Sequence, residues 1–166
     1  MTPDVDVMIE AESWSALADL ESLSRRAIDA ALAQARTAIA PHAEVSIMFC
    51  DDARIRELNQ QWRGLDKPTN VLSFPAAQPS ALATAPLLGD IVVAFETVER
   101  ESRDEDKPLQ DHVSHMIVHG FLHLLGYDHE TDADADVMET AERGALARLG
   151  VADPYAGTVP SGETRR

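Results

Sequence analysis

The residues best suited to chemistry in this sequence are three histidines, His119, His123 and His129. His119 and His123 are four residues apart, so in a helix both imidazoles face the same side and can meet one ion. Gly126 is placed to end that helix in a left-handed turn, after which the chain can bring His129 over the other two. Three neutral imidazoles leave a fourth coordination position for water, which is the arrangement of a catalytic zinc ion.

A metal ion held in this way would supply hydrolytic chemistry. It lowers the pKa of water from about 15.7 towards ~7, and it polarises a phosphoryl or carbonyl oxygen. We therefore predict one zinc ion, or another divalent metal, at the three histidines. His112 and His115 fall on the same arc of the helix. One of them could orient a ligand or touch the substrate, and a role at the surface is the alternative.

The same spacing matches the extended His-Glu-x-x-His-x-x-Gly-x-x-His signature of metzincin proteases. Gly120 stands where those proteases carry the glutamate that accepts a proton. Peptide hydrolysis by their mechanism would therefore lack its base. The metal cage of a protease without the base of a protease argues for a different reaction.

The surrounding elements predict a single-domain α+β fold with the metal site at the end of a central helix. Strand patterns cover residues 5–9, 45–49, 70–74 and 91–95, which indicates a mixed sheet of about four strands. Helical patterns cover residues 20–40, 51–62, 96–107, 108–125 and 132–149. Residues 76–87 have the composition of a mobile loop. We expect one domain over residues 1–155, frayed from Pro154, and a flexible tail over residues 156–166.

The composition indicates a soluble, cytoplasmic protein. The 166 residues are 45% hydrophobic, and no run approaches the roughly 20 apolar residues that span a membrane. The first ten residues lack the basic start and the apolar stretch of a secretory signal. Cys50 is the only cysteine, which excludes an intrachain disulfide and a zinc cluster built of thiolates.

The net charge of −15 argues against a nucleic-acid-binding protein, because phosphate binding normally needs a basic face. A local basic patch and a metal ion could still hold a phosphodiester. The basic residues that follow the second strand are interspersed with acidic ones, so they do not make a strong RNA-binding patch. They are Arg54, Arg56, Arg63 and Lys67.

Three ordered blocks of the sequence resemble the YbeY family of bacterial metal-dependent endoribonucleases, which take part in ribosomal RNA maturation. The first block is HGFLHLLGYDH, residues 119–129. The second is LNQQWRGLDKPTNVLSFP, residues 58–75, and the third is LGDI, residues 88–91. The resemblance extends from about Val45 to Tyr155, where Asp-Pro-Tyr resembles the usual close of the family.

The resemblance implies zinc at the three histidines and a cleft lined by Arg63. A guanidinium can grip a phosphate at two points and stabilise the charge that builds on it during cleavage. The alternative is that Arg63 pairs with Asp66 or caps its own helix. Asp128, beside the third histidine, is a candidate general base or a group that orients a metal ligand.

The function implied by the resemblance is single-strand-specific, metal-dependent endoribonuclease activity. It would act in late maturation of ribosomal RNA, at the 3′ end of 16S RNA, and in ribosome quality control. The implied partners are ribosomal RNA, the small ribosomal subunit and a ribosomal protein, with no membrane; the oligomeric state stays open. The acidic run of residues 130–142 could face a basic ribosomal protein or be a solvated helix face.

Two other functions remain open on the sequence. One is a zinc-dependent hydrolase of a peptide, amide or ester, suggested by the protease-like spacing and the acidic charge. The other is a non-catalytic ribosome assembly factor in which the metal staples the helix end to the following loop. An open coordination position and a required Arg63 would argue against the assembly factor, whereas a fourth protein ligand would support it.

Overall fold

Four strands form one mixed sheet in the computed structural model, which describes residues 2–156. The strands are β1 (Asp4–Ile9), β2 (Glu44–Cys50), β3 (Val71–Pro75) and β4 (Leu87–Ala94). Their spatial order is β1-β2-β4-β3. Strand β2 is parallel to β1 and β4, whereas β3 is antiparallel to β4 and forms one edge. The predicted four-stranded mixed sheet is confirmed.

Five α-helices pack around this sheet: α1 (Leu20–Ala35), α2 (Asp52–Arg63), α3 (Phe95–Asp104), α4 (Leu109–Leu124) and α5 (Asp132–Arg148). Helix α4 is central, because it contacts α1, α3, α5 and the strands β3 and β4. Two short 3₁₀ turns, Glu12–Ala16 and Pro79–Ala81, complete the elements. Among residues 2–156, every helix is too short or too polar to cross a membrane.

Helices cover both faces of the sheet. Successive side chains of a strand point to opposite faces, so one strand contributes to two cores. On one face, Ile91 and Val93 of β4 join the large core that includes Ile117 and Phe121 of α4. On the other face, β4 contributes Val92 and Ala94 to a smaller core with Ile55 of α2. The sheet therefore separates α2 from α4.

Several element ends differ from the sequence prediction. Helix α1 stops at Ala35, because Arg36 adopts a left-handed conformation with φ 55°. Strand β4 begins at Leu87, and Phe95, predicted to end the strand, is the first residue of α3. Strand β4 thus takes in the last residue of the predicted 76–87 loop, while Pro108 caps α4 rather than lying inside its first turn.

The C-terminal segment contacts α5 through Tyr155. Within the segment predicted to fray from Pro154, the Tyr155 hydroxyl donates a 2.6 Å hydrogen bond to Glu142, and Arg143 lies over the Tyr155 ring. Of the predicted flexible tail, 156–166, only Ala156 is among the described residues.

Candidate metal centre

The histidines of α4 form a polar stripe, and His115, His119 and His123 of this stripe line a cleft of about 760 Å³. Apolar side chains such as Val113, Ile117 and Phe121 anchor the helix in the core, which turns the histidine stripe towards this cleft. His119 and His123 are half-buried and line the cleft. His129 lines it too, from the exposed turn that follows α4. The structure therefore brings the three predicted ligands to one place.

His119 and His123 present their Nε2 atoms to each other at 3.2 Å. The Nδ1 atoms are engaged behind them: His119 Nδ1 donates to Glu142 Oε2 at 2.8 Å, and His123 Nδ1 donates to the Tyr127 carbonyl at 3.0 Å. The Nε2 atoms consequently carry the lone pairs. Burial, together with the neighbouring His119 and His129, lowers the pKa of His123 to about 4, so its imidazole is neutral near pH 7.

A tight turn carries His129 back over the helix end. Gly126 has a φ of +101°, which side-chain-bearing residues rarely adopt. A Cβ there would also lie 2.8 Å from Pro79 Cγ, so both the backbone conformation and the available space favour glycine. The Tyr127 amide donates to the Leu122 carbonyl at 3.0 Å and closes the turn. The His129 ring then lies 5.1 Å from the His123 ring and 5.8 Å from the His119 ring, between centroids.

The three imidazoles fit a metal ion. One potential ligand atom from each histidine lies within 4.8 Å of the others. With metal–nitrogen bonds of about 2.0–2.1 Å, ligand nitrogens in a tetrahedral site are about 3.3–3.4 Å apart, close to the 3.2 Å between His119 and His123. His129 is the more distant ligand and lies on an exposed loop. Among the described residues, no fourth histidine, cysteine or carboxylate joins this group.

Glu142 of α5 is a site residue that the sequence analysis missed. Its side chain is 1% exposed, and it accepts hydrogen bonds from His119, from His115 Nε2 at 2.7 Å and from the Tyr155 hydroxyl at 2.6 Å. Burial acts to raise the pKa of the Glu142 carboxyl, but the bonds from His115 and His119 outweigh it and hold the pKa well below its usual range. Glu142 is therefore an anion that fixes the His119 ring.

A signal for Glu142 was present in the sequence. The buried residues of α5 follow a helical spacing of three and four, and Glu142 falls on that apolar stripe. A carboxylate on an apolar stripe needs a partner inside the protein. The interpretation of residues 130–142 as a solvated or partner-facing acidic face is wrong at Glu142.

The surface role that the sequence left open for His112 and His115 is also wrong, because both rings are buried. His115 supports the site through Glu142, and burial lowers its pKa. His112 Nε2 lies 2.8 Å from Glu101 Oε1, and the Asn70 amide donates to the same carboxylate at 3.1 Å. These contacts tie α4 to α3 and to the start of β3.

Arg63, the last residue of α2, lines the same cleft as the histidines and is exposed. The alternative pairing with Asp66 is wrong, since Arg56 holds both oxygens of that carboxylate at 2.8 and 3.2 Å. Arg63 makes no ion pair within residues 2–156. Its guanidinium therefore remains available to an anion in the cleft.

Asp128 also lines the cleft, and its Oδ1 accepts a 2.7 Å hydrogen bond from the His129 amide. That bond and a hydrogen bond shared with Glu130 hold the pKa of the Asp128 carboxyl below its usual value. The carboxylate is thus an ionised group that shapes the loop carrying His129.

Gly120 is pressed against the sheet. A Cβ at this position would lie 3.0 Å from Ile91 Cγ2 and 3.1 Å from Ser73 Oγ. The Ser73 hydroxyl donates to the Gly120 carbonyl at 3.0 Å. A protease-type glutamate has no room here, so the missing base reflects close packing of α4 on β3 and β4.

Comparisons with known proteins agree on one family. The family model described as Endoribonuclease YbeY matches residues 8–150. The chain is 54% identical to Endoribonuclease YbeY of Methylocella silvestris over 155 residues, which cover 93% of this chain and 87% of the relative. It is 56% identical to Endoribonuclease YbeY of Rhodopseudomonas palustris over 157 residues, covering 93% and 82% of the two chains.

A solved structure shares the fold. The solution structure of TM1509 from Thermotoga maritima superposes with a TM-score of 0.56 and covers 98% of this chain and 99% of its own. The sequence identity is 23%, so this likeness concerns the fold alone.

Proposed function

The chain belongs to the Endoribonuclease YbeY family, and we propose that it cleaves single-stranded RNA at its three-histidine cleft by metal-dependent hydrolysis. One observation carries the proposal: three convergent imidazoles and an arginine with no ion pair among residues 2–156 line the same cavity. A metal site alone fits many hydrolases. A metal site facing an available guanidinium fits a phosphodiester, whose charge both groups can neutralise.

The side chains of the cleft have separate roles in the proposed cleavage. A zinc ion at the three histidines would supply Lewis acidity, lowering the pKa of water and polarising a phosphoryl oxygen. Arg63 binds a non-bridging phosphate oxygen and offsets the charge that grows during cleavage. Glu142 holds the His119 ring with its Nε2 directed into the cleft.

We assign Asp128 to positioning the His129 loop rather than to proton transfer. Its carboxylate already accepts from the His129 amide, and a pKa below the usual range makes it a weak base near pH 7. Because an asparagine side chain keeps an acceptor oxygen for that amide, the Asp128→Asn variant is expected to retain most of the activity.

The proposed substrate is ribosomal RNA, cut late in maturation at the 3′ end of 16S RNA and during ribosome quality control, in the cytoplasm. The acidic net charge supports binding to the small ribosomal subunit, which would place its RNA at the cleft, over binding of free RNA. A chain with net charge −15 attracts free RNA weakly, whereas a basic ribosomal protein would offer a complementary surface.

The two alternative functions have less support. A metzincin-type peptide hydrolase needs a base that the packing around Gly120 does not accommodate. A purely structural metal site would be closed by a fourth protein ligand, and among residues 2–156 the group contains only the three histidines.

The test is cleavage of single-stranded ribosomal RNA by zinc-loaded protein that has been cleared of contaminating ribonucleases. The wild type is compared with a His119→Ala/His123→Ala double variant, with Arg63→Glu and with Asp128→Asn. We expect the double variant to lose activity and Arg63→Glu to fall by about 10²–10³-fold, as for removal of a group that stabilises transition-state charge.

Equal cleavage by all four proteins would identify contamination and overturn the proposal. Loss of activity in Asp128→Asn with unchanged zinc affinity would instead make Asp128 the general base. Arg36→Glu, a charge reversal at an exposed residue after α1, controls for the change in net charge.

A further inference from the structure

Trp62 is 64% exposed, although tryptophan is among the largest apolar side chains. It precedes Arg63 in the last turn of α2, and its indole contacts the Phe74 ring edge-on, with centroids 6.0 Å apart. Phe74 belongs to β3, the edge strand, between Ser73 and Pro75, which both line the cleft. The indole therefore packs on the side of β3 that faces away from the cleft, while the next residue, Arg63, lines the cleft.

The charges around Trp62 differ from those of the molecule as a whole. Residues 62–67, the α2–β3 rim, contain two cations, Arg63 and Lys67, and neither forms an ion pair with Asp66, the acidic residue of the rim. Asp66 is instead occupied by Arg56. Leu65 adds a second exposed apolar side chain, at 39%. In a chain of net charge −15, this rim joins available positive charge to exposed aromatic surface.

We propose that Trp62 is a base-stacking subsite for single-stranded nucleic acid. RNA that is held at the cleft by Arg63 and leaves across the edge of β3 places a neighbouring base on the indole. Stacking accepts any base, because every base has a π-face. Paired bases in a duplex already have both faces covered, so the subsite favours single strands. The inference rests on the proposed function and adds a determinant of substrate choice to it.

The experiment measures binding rather than cleavage. Zinc-loaded, full-length protein is titrated with a 2′-O-methyl oligoadenylate of about eight nucleotides, checked to be intact afterwards, and with an abasic oligomer of equal length and charge. Trp62→Ala is compared with Trp62→Phe and with Met8→Ala, which truncates a 48% exposed side chain on the opposite edge of the sheet. Hydrolysis of a simple aryl phosphodiester reports whether the metal cleft is intact.

We expect Trp62→Ala to weaken oligoadenylate binding by about tenfold or more, with abasic binding and diester hydrolysis unchanged. Trp62→Phe keeps most of the affinity. Stacking of a base on Trp62 should also lower the indole emission. Trp14, the other tryptophan, is 1% exposed, so the change reports on Trp62 and should vanish in Trp62→Phe.

Equal affinity of Trp62→Ala and Met8→Ala for oligoadenylate would overturn the subsite. So would an equal loss of affinity for the abasic oligomer, or wild-type protein that fails to bind oligoadenylate. None of these results depends on RNA cleavage, so the nuclease proposal is tested separately by the histidine and Arg63 variants.

Discussion

At the scale of single residues, the site depends on which nitrogen of each histidine is engaged. The Nδ1–H groups of His119 and His123 donate to Glu142 and to the Tyr127 carbonyl, so the Nε2 lone pairs converge. Two lone pairs 3.2 Å apart repel unless a cation lies between them. Glu142 is central to this arrangement because its buried carboxylate accepts three hydrogen bonds at once.

Replacing Glu142 by Gln is expected to weaken zinc binding by about 10–100-fold, the usual effect of losing a partner that orients a metal ligand. An amide has one acceptor oxygen, so its NH₂ group must face a donor on His119, His115 or Tyr155. The measurement is competition for zinc with a chromophoric chelator. Glu21→Gln, an exposed residue of α1, removes the same charge and should bind zinc normally. Unchanged affinity in Glu142→Gln would show that the His119 ring is held without the carboxylate.

At the scale of elements, glycines set how closely α4 and the edge strand approach each other. Gly89 of β4 has a φ of +141°, and a Cβ there would collide with the Phe74 carbonyl of β3 and lie 2.8 Å from Leu124 Cδ2 of α4. The close contact of β3, β4 and the end of α4 thus requires a glycine. This contact holds the helix end and β3 together as walls of one cleft.

Gly89→Ala and Gly64→Ala form a matched pair that separates a collision from backbone strain alone. Gly64 also has a positive φ, +71°, but nothing lies within 4 Å of its added Cβ. We expect Gly64→Ala to cost about 1–2 kcal/mol of unfolding free energy and Gly89→Ala about 3 kcal/mol or more. Urea denaturation followed by circular dichroism measures both. Equal costs would mean that β3 and α4 move apart easily.

At the scale of the whole molecule, the cleft joins parts that are distant in the sequence. Arg63 comes from α2, the histidines from α4 and the following turn, Glu142 from α5 and Tyr155 from the C-terminal segment. An ion bound by α4 and its turn should therefore stabilise the folded chain, because the unfolded chain offers no such site.

Saturating zinc is expected to raise the thermal midpoint of unfolding. At a free concentration of about 100 times the dissociation constant, one site contributes about 2.7 kcal/mol, which corresponds to about 5–10 °C for a chain of this size. Differential scanning fluorimetry with and without chelator measures the shift. The His119→Ala/His123→Ala variant should show none, and a full shift in that variant would place the ion elsewhere.

The salt dependence of RNA binding tests how the acidic molecule meets its substrate. If Arg63 and Lys67 are the two cations that contact phosphates, log K should fall with log salt at a slope of about −1.4 for a single strand. Lys67→Gln should reduce that slope by about 0.7. A wild-type slope steeper than about −3 would mean that further cations bind the RNA.

The local chemistry of the site could be predicted from the amino-acid sequence alone. The four-residue spacing of His119 and His123 and the glycine at 126 express helix and turn geometry, which depends on neighbours in the chain. Alternating apolar residues likewise predicted β1 and β2, a short segment stopped by Pro75 predicted β3, and a compact apolar run predicted β4. The motif around Arg63 marked that residue, and the structure places it in the histidine cleft.

Contacts between side chains that are distant in the sequence depend on the tertiary fold and could not be predicted. Glu142 lies 23 residues from His119, and no rule of local structure pairs them. Its position on the apolar stripe of α5 indicates a buried carboxylate but does not identify the residue that it contacts. Asp66 pairs with Arg56 rather than with Arg63. The Arg63 guanidinium therefore remains available in the cleft. The ends of α1 and β4 also differed from prediction, since Arg36 adopts a left-handed conformation after α1 and Phe95 begins α3 directly after β4.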